Sequence, residues 1–440
     1  PVVLKVLGSL GLIVLVNSLT KRLMFAMGVG ALALGLWCGH PVLPTETQPG
    51  LVGIAAARLA SLNLILLLVI VFQVIWLSSQ MAATNVMRDL VAAVRARITR
   101  RHSMAVLPAV IGWLPMPGGA LFSAPLVESC DPDGTVQPEL KTRTNYWFRH
   151  IWEYWWPIYP GVLLAIDLTG LEIWQFVALE LPLSLFAVLG GWFFLLRRIE
   201  PEAVEANGRP APADGDRADG PPPQSMLRLI TPILVVIGVV AALEVGFVLL
   251  RHAEIGFQRP QKYVPMMLGI AAAMFVLNRQ RPLALHAWKE ILLAPRTLRL
   301  VALVAVVRVF GAFIDARLPG GELLVKRMQT EFAAWEIPVL LIVILIPFVS
   351  GVSTGLAVGF VGASFPIVLS LVPAGAPLRE LLATTVLAYA AGHSGMMLSP
   401  VHVCLIVTNE HFRTRLLGSL YGLLGPAMVM IGGGFVLHYL

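Results

Sequence analysis

The stretches IPFVSGVSTGLAVGFVGASFP (346–366) and LPAVIGWLPMPGGALFSAP (107–125) decide how this chain is read. Both are apolar enough for the interior of a bilayer, yet each is interrupted near its centre by Gly, Pro, Ser or Thr. A helix that breaks in mid-membrane exposes N–H and C=O groups that hydrocarbon cannot satisfy. Such breaks persist only inside protein or beside a water-filled cavity. The regions 104–128 and 337–371 are therefore read as re-entrant hairpins, the alternative being ordinary spans kinked by Pro and Gly.

The rest of the chain agrees with a membrane setting. Of its 440 residues 57% are apolar and 13% charged, and the mean hydropathy is +0.80. A soluble domain carries roughly 25% charged residues, so water is not the main solvent here. Apolar runs long enough to cross a bilayer number about ten, at 2–18, 22–38, 56–78, 145–166, 171–196, 227–250, 262–278, 298–316, 380–407 and 414–438. The first lacks a following small-residue cleavage site and reads as a span, not a removable signal. The net charge of +7 comes from Lys and Arg lying between these runs, which marks topology and not a nucleic-acid surface. Cys38, Cys130 and Cys404 have neither CxxC nor zinc spacing.

The chain states one pattern twice. Three spans, a basic amphipathic segment (84–101, then 320–334), a hairpin and two more spans make up residues 1–198 and again 226–440. Between them 199–225, with EANGRPAPADGDRADGPPPQ, reads as a flexible linker. Pro108 matches Pro347, Gly112 matches Gly351, Ser123 matches Ser364 and Pro160 matches Pro400, at an offset of about 240 residues. Five spans per half is odd, so the second copy is inverted. Lys and Arg concentrate on the side that holds the linker, which makes the linker cytoplasmic and both termini external. The expected fold is an all-α membrane protein, an inverted-repeat transporter with two re-entrant hairpins in an inner (plasma) membrane.

Opposed hairpins place the N-terminal ends of half-helices at the midplane, where they attract an anion. Their unwound tips offer oxygens to a hard cation such as sodium, the one bound group expected; no other cofactor is. The substrate candidates at the tips are Pro117, Gly118 and Gly119, with Ser123 beyond, and Ser350, Gly351, Ser353 and Thr354. The spans after the hairpins are broken as well, at Trp156–Gly161 and at Gly392–Gly395 with Ser399-Pro400, which adds Ser394 and Ser399. Any of these hydroxyls could instead bond back to its own helix. Counting from the matched prolines makes Glu153 and His393 equivalent, and titratable groups at membrane depth point to coupling. Ser350 and Thr354 are the sodium candidates beside that pair. A salt bridge from Glu153 to Arg149 near the cytoplasmic boundary is the plainer reading. Tyr146, Trp147, Trp152, Tyr154, Trp155, Trp156 and Tyr159 read as an interfacial belt with packing, and Arg308, Asp315 and Glu244 as pairing within the scaffold.

LPMPGGALFSAP (114–125) and GHSGMMLSPVHVCLIVTNEHF (392–412) resemble the prokaryotic membrane family catalogued as domain of unknown function 401. That family is grouped with the ion transporter superfamily of dicarboxylate, citrate, gluconate and short-chain anion permeases. The resemblance implies a dimerising scaffold and a transport domain of hairpins and broken spans that slides as an elevator. In the sodium-dicarboxylate branch of that superfamily each hairpin tip carries a Ser-Asn-Thr motif for carboxylate and sodium, a pattern from which this sequence departs. Here Ser353-Thr354 matches in part and the first tip reads Pro-Met-Pro-Gly-Gly. The departure leaves a smaller or more apolar anion, and proton coupling, as open alternatives.

HExxH and GxxxxGK[ST] are absent, and no enzyme is expected. The sequence thus points to an elevator-type secondary transporter of a small carboxylate-like anion, working as a homodimer in the bilayer with no nucleic-acid partner. A channel or facilitator is one alternative. The other is a transition-metal transporter using His393, Met396, His402 and Cys404.

Overall fold

The computed structural model describes residues 1–95, 98–113, 115, 119–200, 226–252, 260–373 and 375–440; most of the linker and three of the four residues 115–118 lie outside them. The first half contains α1 (Val2–Thr20), α2 (Leu23–Trp37), α3 (Gly50–Leu59), α4 (Leu62–Ala83), α5 (Val86–Arg95), α6 (Arg100–Gly112), α7 (Ala120–Ser129), α8 (Pro138–Arg149), α9 (Pro160–Thr169), α10 (Ile173–Glu180) and α11 (Leu183–Phe194). The second contains α12 (Met226–His252), α13 (Val264–Gln280), α14 (Leu285–Leu292), α15 (Pro295–Ile314), α16 (Leu324–Ala334), α17 (Val339–Thr354), α18 (Ala357–Leu369), α19 (Leu378–Met397), α20 (Val403–Phe412) and α21 (Leu416–Tyr439). The fold is all-α and multi-pass. Among the described residues, six segments have the length and hydropathy of a span: Val2–Thr20, Leu62–Ala83, Ile173–Arg198, Leu227–Leu250, Leu285–Ile314 and Leu416–Tyr439. The other four expected spans are the shorter apolar helices α2 and α13 and the two broken pairs α8–α9 and α19–α20.

Packing across the two halves is reciprocal. Helix α2 lies on α15 as α13 lies on α4, α1 on α16 as α12 on α5, α3 on α15 as α14 on α4, and α9 on α18 as α20 on α7. Such exchange is what a two-fold axis between inverted copies requires. The amphipathic helix α16 meets α17 at 118°, so the chain turns sharply from surface to interior there.

Both hairpins form as the broken apolar stretches require. Helix α17 ends on Gly355 at φ 60, a left-handed conformation that a side chain would oppose, and α18 starts after Leu356. Helix α6 ends at Gly112 and α7 begins after Gly119. The broken spans differ from expectation. The first break runs from 150 to 159, wider than expected, and α19 continues unbroken through Gly392–Gly395 to Met397. Those glycines serve close approach instead: a Cβ at Gly392 would enter the Phe360 ring, and one at Gly395 the Phe348 carbonyl of α17. Glycine is tolerated inside a helix where a neighbouring backbone takes the missing side chain's place.

Charged pairing also differs from expectation. Arg308 on α15 pairs with Asp167 on α9 at 2.7 Å, and Asp315 instead meets Arg58 at 3.4 Å. The Tyr263 hydroxyl donates to Asp167 (2.9 Å), and Lys262 Nζ donates to the carbonyls of Ile166 (2.9 Å) and Leu171 (3.0 Å). A cation at a helix C-terminus complements the dipole, so the end of α9 is tied to α13 and α15. Because the Arg308–Asp167 pair is buried, Asp167→Asn should lower stability by about 3 kcal/mol or more. Thermal unfolding in detergent checks this, and Asp167→Leu with Arg308→Met should recover most of the loss.

Candidate functional site

Four helices end at the centre of the protein, and each has donors for its carbonyls. The Trp152 indole donates to Ala109 O (2.7 Å), Trp156 to Trp113 O (3.1 Å) and the Tyr159 hydroxyl to Gly112 O, which closes α6. His150 Nδ1 lies 2.6 Å from Tyr146 O at the end of α8. Ser399 donates to Val352 O (2.6 Å) and Asn17 to Ser353 O (3.0 Å), closing α17. Tyr146 donates to Met397 O (3.2 Å) at the end of α19. The aromatic group expected to form an interfacial belt is therefore interior. Tyr146, Trp147 and Tyr154 are buried, and the indoles of Trp147 and Trp155 bond Ala187 O and Ser184 Oγ. The apolar bodies fit the membrane while the N–H and O–H groups satisfy broken helices.

Four other helices begin at this centre, and none has a side-chain cap: α7 after Gly119, α9 after Tyr159, α18 after Leu356 and α20 after His402. They come in parallel pairs. Helices α7 and α20 start beside Arg149 and meet again at their far ends, where His411 lies 2.8 Å from Glu128. Helices α9 and α18 touch at Gly161 and Ala357. First-turn N–H groups of a helix lack intrahelical acceptors and carry its positive end.

Arg149 sits in the middle of this arrangement. It was read as a boundary residue; instead it is only 2% exposed, at the end of α8 against the first hairpin. A Cβ at Gly119 would enter the guanidinium, and one at Gly112 the Arg149 carbonyl, so both glycines are needed for α6 and α7 to close around it. Arg149 Nη1 lies 3.3 Å from His150 Nε2 and 3.5 Å from Cys404 Sγ. The bond to Tyr146 O assigns the His150 proton to Nδ1, leaving Nε2 to accept from Arg149. Glu153 Oε1 is 3.9 Å from His150 Nε2, beyond hydrogen-bond range.

The structure separates the expected site residues into groups. Ser123 and Ser350 are fully buried, and among the described residues their hydroxyls have no partner; the same is true of both His393 ring nitrogens and of His402 Nδ1. Ser353 bonds back to Val349 O, Thr354 to Ser350 O and Ser394 to Ala390 O, so these three offer only oxygen lone pairs. Ser399 caps α17, Gly351 packs on the Gly392 carbonyl, and Gly119 holds Arg149. Pro117 and Gly118 lie outside the described residues. Glu153 and His393 are not equivalent, because Glu153 lies beyond the end of α8 whereas His393 lies within α19 against the Tyr154 ring at 4.2 Å. The equivalence that survives is Tyr159 with Ser399, each preceding the matched proline and each capping a hairpin.

The His/Met/Cys cluster also rearranges. His150, His402 and Cys404 converge within 4.8 Å, without His393. The guanidinium facing two of those three ligand atoms opposes a metal cation, so the donor set does not fit one. Sequence reasoning missed Arg149 and His150 as centre residues. The available signal was that Arg149 falls inside the span read at 145–166, where a charge is expensive.

Residues 4–207 and 270–438 match the model of a family described as protein of unknown function (DUF401). The chain belongs to the DUF401 family. No curated protein matches it significantly in sequence. Among solved structures it is similar to the YdaH transporter of Alcanivorax borkumensis, whose topology is described as unusual. The TM-score is 0.59 at 14% identity, over 94% of this chain and 96% of that one. At that identity the likeness is one of fold.

The capping scheme of this DUF401 protein can be tested directly. Tyr159→Phe leaves Gly112 O without its donor, and Ser399→Ala does the same to Val352 O. Each should lower stability by about 1–3 kcal/mol, read as a fall in unfolding midpoint. Hydrogen exchange should rise in the hairpin that loses its cap and not in the other.

Proposed function

We propose that this DUF401 protein is a secondary active transporter of elevator type that carries a small, carboxylate-like organic anion across the inner membrane, coupled to sodium or protons. The observation that carries this reading is the polarity of the helix ends. Among the described residues, each of the four carbonyl ends has a donor from the protein, whereas the four N-terminal ends have no side-chain cap, and two of them, those of α7 and α20, start beside Arg149. Such a centre is built for negative charge. Arg149 is the counter-charge for the carboxylate, and Ser123 and Ser350 supply hydrogen bonds. Ser353 and Thr354, whose hydroxyl protons are already committed, present the lone pairs a sodium ion needs.

Movement is supported by how the helices group. Helices α1–α4 and α12–α15 form the scaffold, with α12 offering the least covered face to a second copy in a homodimer: only 11% of its most apolar stretch is buried. The hairpins, the broken spans, α10–α11 and α21 form the moving body. The two repeats fall at 1–198 and 226–440, on either side of a cytoplasmic linker. The seam is smooth where Gly362 meets Val307 and Gly311 meets Pro366. With external termini, the second hairpin's tip lies at the cytoplasmic end of α1, where Asn17 bonds Ser353 O, and Gly359 lies against Leu23 at the start of α2. The moving body is thus displaced inward. The fold shared with a protein named as a transporter supports the same reading and the placement in the ion transporter superfamily.

A thermal-shift screen tests it, with lactate, benzoate, gluconate and succinate each run in sodium, in potassium and over a pH series. A ligand at 100 times its Kd stabilises by about 2.7 kcal/mol. One or more anions should raise the midpoint of the wild type, and Arg149→Gln should remove the shift. Stabilisation by zinc or copper alone would overturn the proposal.

A further inference from the structure

We propose that Glu180 is a proton-binding site of the transport cycle, linked to the anion site through Tyr389; the inference rests on the transporter reading above and specifies its coupling ion. Glu180 is the last residue of α10, in the middle of the Ile173–Arg198 span, and is fully buried. Among the described residues, neither carboxyl oxygen has a hydrogen-bond partner. Pro182 breaks the span two residues later and brings no N–H to the site. A carboxylate in that position has no donor and no counter-charge, and it neutralises itself by holding a proton. A sodium ion is a poorer fit, because a hard cation needs a shell of several oxygens. Here α10 packs on α19, with the Phe176 ring 5.7 Å from that of Tyr389.

Tyr389 is the titratable group that α19 sets against α10, through its contact with the Phe176 ring. The Tyr389 hydroxyl donates to the main-chain carbonyl of Glu153 at 3.0 Å. Tyr389 therefore touches both the helix that ends in Glu180, through Phe176, and the main chain at Glu153. A structural carboxyl would have been given a fixed donor or acceptor, as Asp167 has in Arg308 and Tyr263. Glu180 has been left with none, in the body proposed to move.

Infrared difference spectroscopy of the folded, reconstituted protein tests the site without a substrate. Wild type minus Glu180→Gln should show the C=O stretch of one protonated carboxyl at neutral pH, and that band should shift completely in D2O. Absence of the band, or a band unshifted until the protein unfolds, would overturn the proposal. Glu180→Leu provides the same subtraction if the Gln variant does not fold. A second arm follows an internal pH dye while lactate, benzoate, gluconate or succinate is supplied outside. Proton flux should accompany anion flux in the wild type and be lost in Glu180→Gln; an unchanged ratio would also overturn it. If none of these anions moves in the wild type, the transporter reading fails, whereas the infrared result still decides whether Glu180 holds an exchangeable proton.

Discussion

Everything at the centre of this protein depends on one constraint, that a helix ending inside a membrane must have its carbonyls satisfied by protein. Water supplies those bonds in a soluble fold, but hydrocarbon cannot. The chain meets the requirement with side chains from neighbouring segments. Tyr146, in the first repeat, closes α19 in the second; Asn17, on α1, closes α17; Tyr159 and the indoles of Trp152 and Trp156 close α6. These bonds tie the broken spans to the hairpins more specifically than apolar contact does. The large aromatic residues between 146 and 159 are there because an indole or phenol combines a long apolar body with a single polar tip.

Satisfying one kind of helix end and not the other determines the sign of what can bind. Each uncapped N-terminus carries roughly half an elementary charge, and those of α7 and α20 start beside Arg149. Arg149 adds a positive charge there, with its guanidinium 3.3 Å from His150 Nε2. A metal ion would meet that guanidinium at the His150 and Cys404 ligand atoms. The proposed anion would instead meet the guanidinium as a counter-charge.

Fold class and repeat were legible in the sequence because they rest on features that carry across one-dimensional distance. Apolar length, interrupted hairpins and a constant offset between prolines need no knowledge of contacts. The site was legible only in part. Ser123 and Ser350 stand out because they lie beside the breaks, yet nothing in their spacing tells them from Ser394, whose hydroxyl returns to its own helix. Gly392 and Gly395 look like breakers, but Phe360 and Phe348 make them close-packing positions, a fact that resides in another helix. Glu153 and His393 align by counting, and the wider first break removes the correspondence. Arg149 was hidden by its neighbour: an i, i+4 partner makes a surface salt bridge the economical reading until the hairpin is seen closing over it.

If the protein works as the proposed elevator, the polar ties described across the seam bear on how the moving body would travel. Lys262, Tyr263 and Arg308 all hold the end of α9, and Asn17 holds the tip of the second hairpin. Separating a buried ion pair without replacement would cost about 3–5 kcal/mol, enough to slow a motion that otherwise falls in the microsecond-to-second range. Asp167 and its partners lie within a turn of the end of α9. Asn17 holds a carbonyl near the end of α1. The interior of the seam is made instead of Gly311, Gly362, Val307 and Pro366, which have no hydrogen bond to lose. Placing the polar ties at the ends and small apolar groups between them lets the body be held in one position without a large barrier along the path.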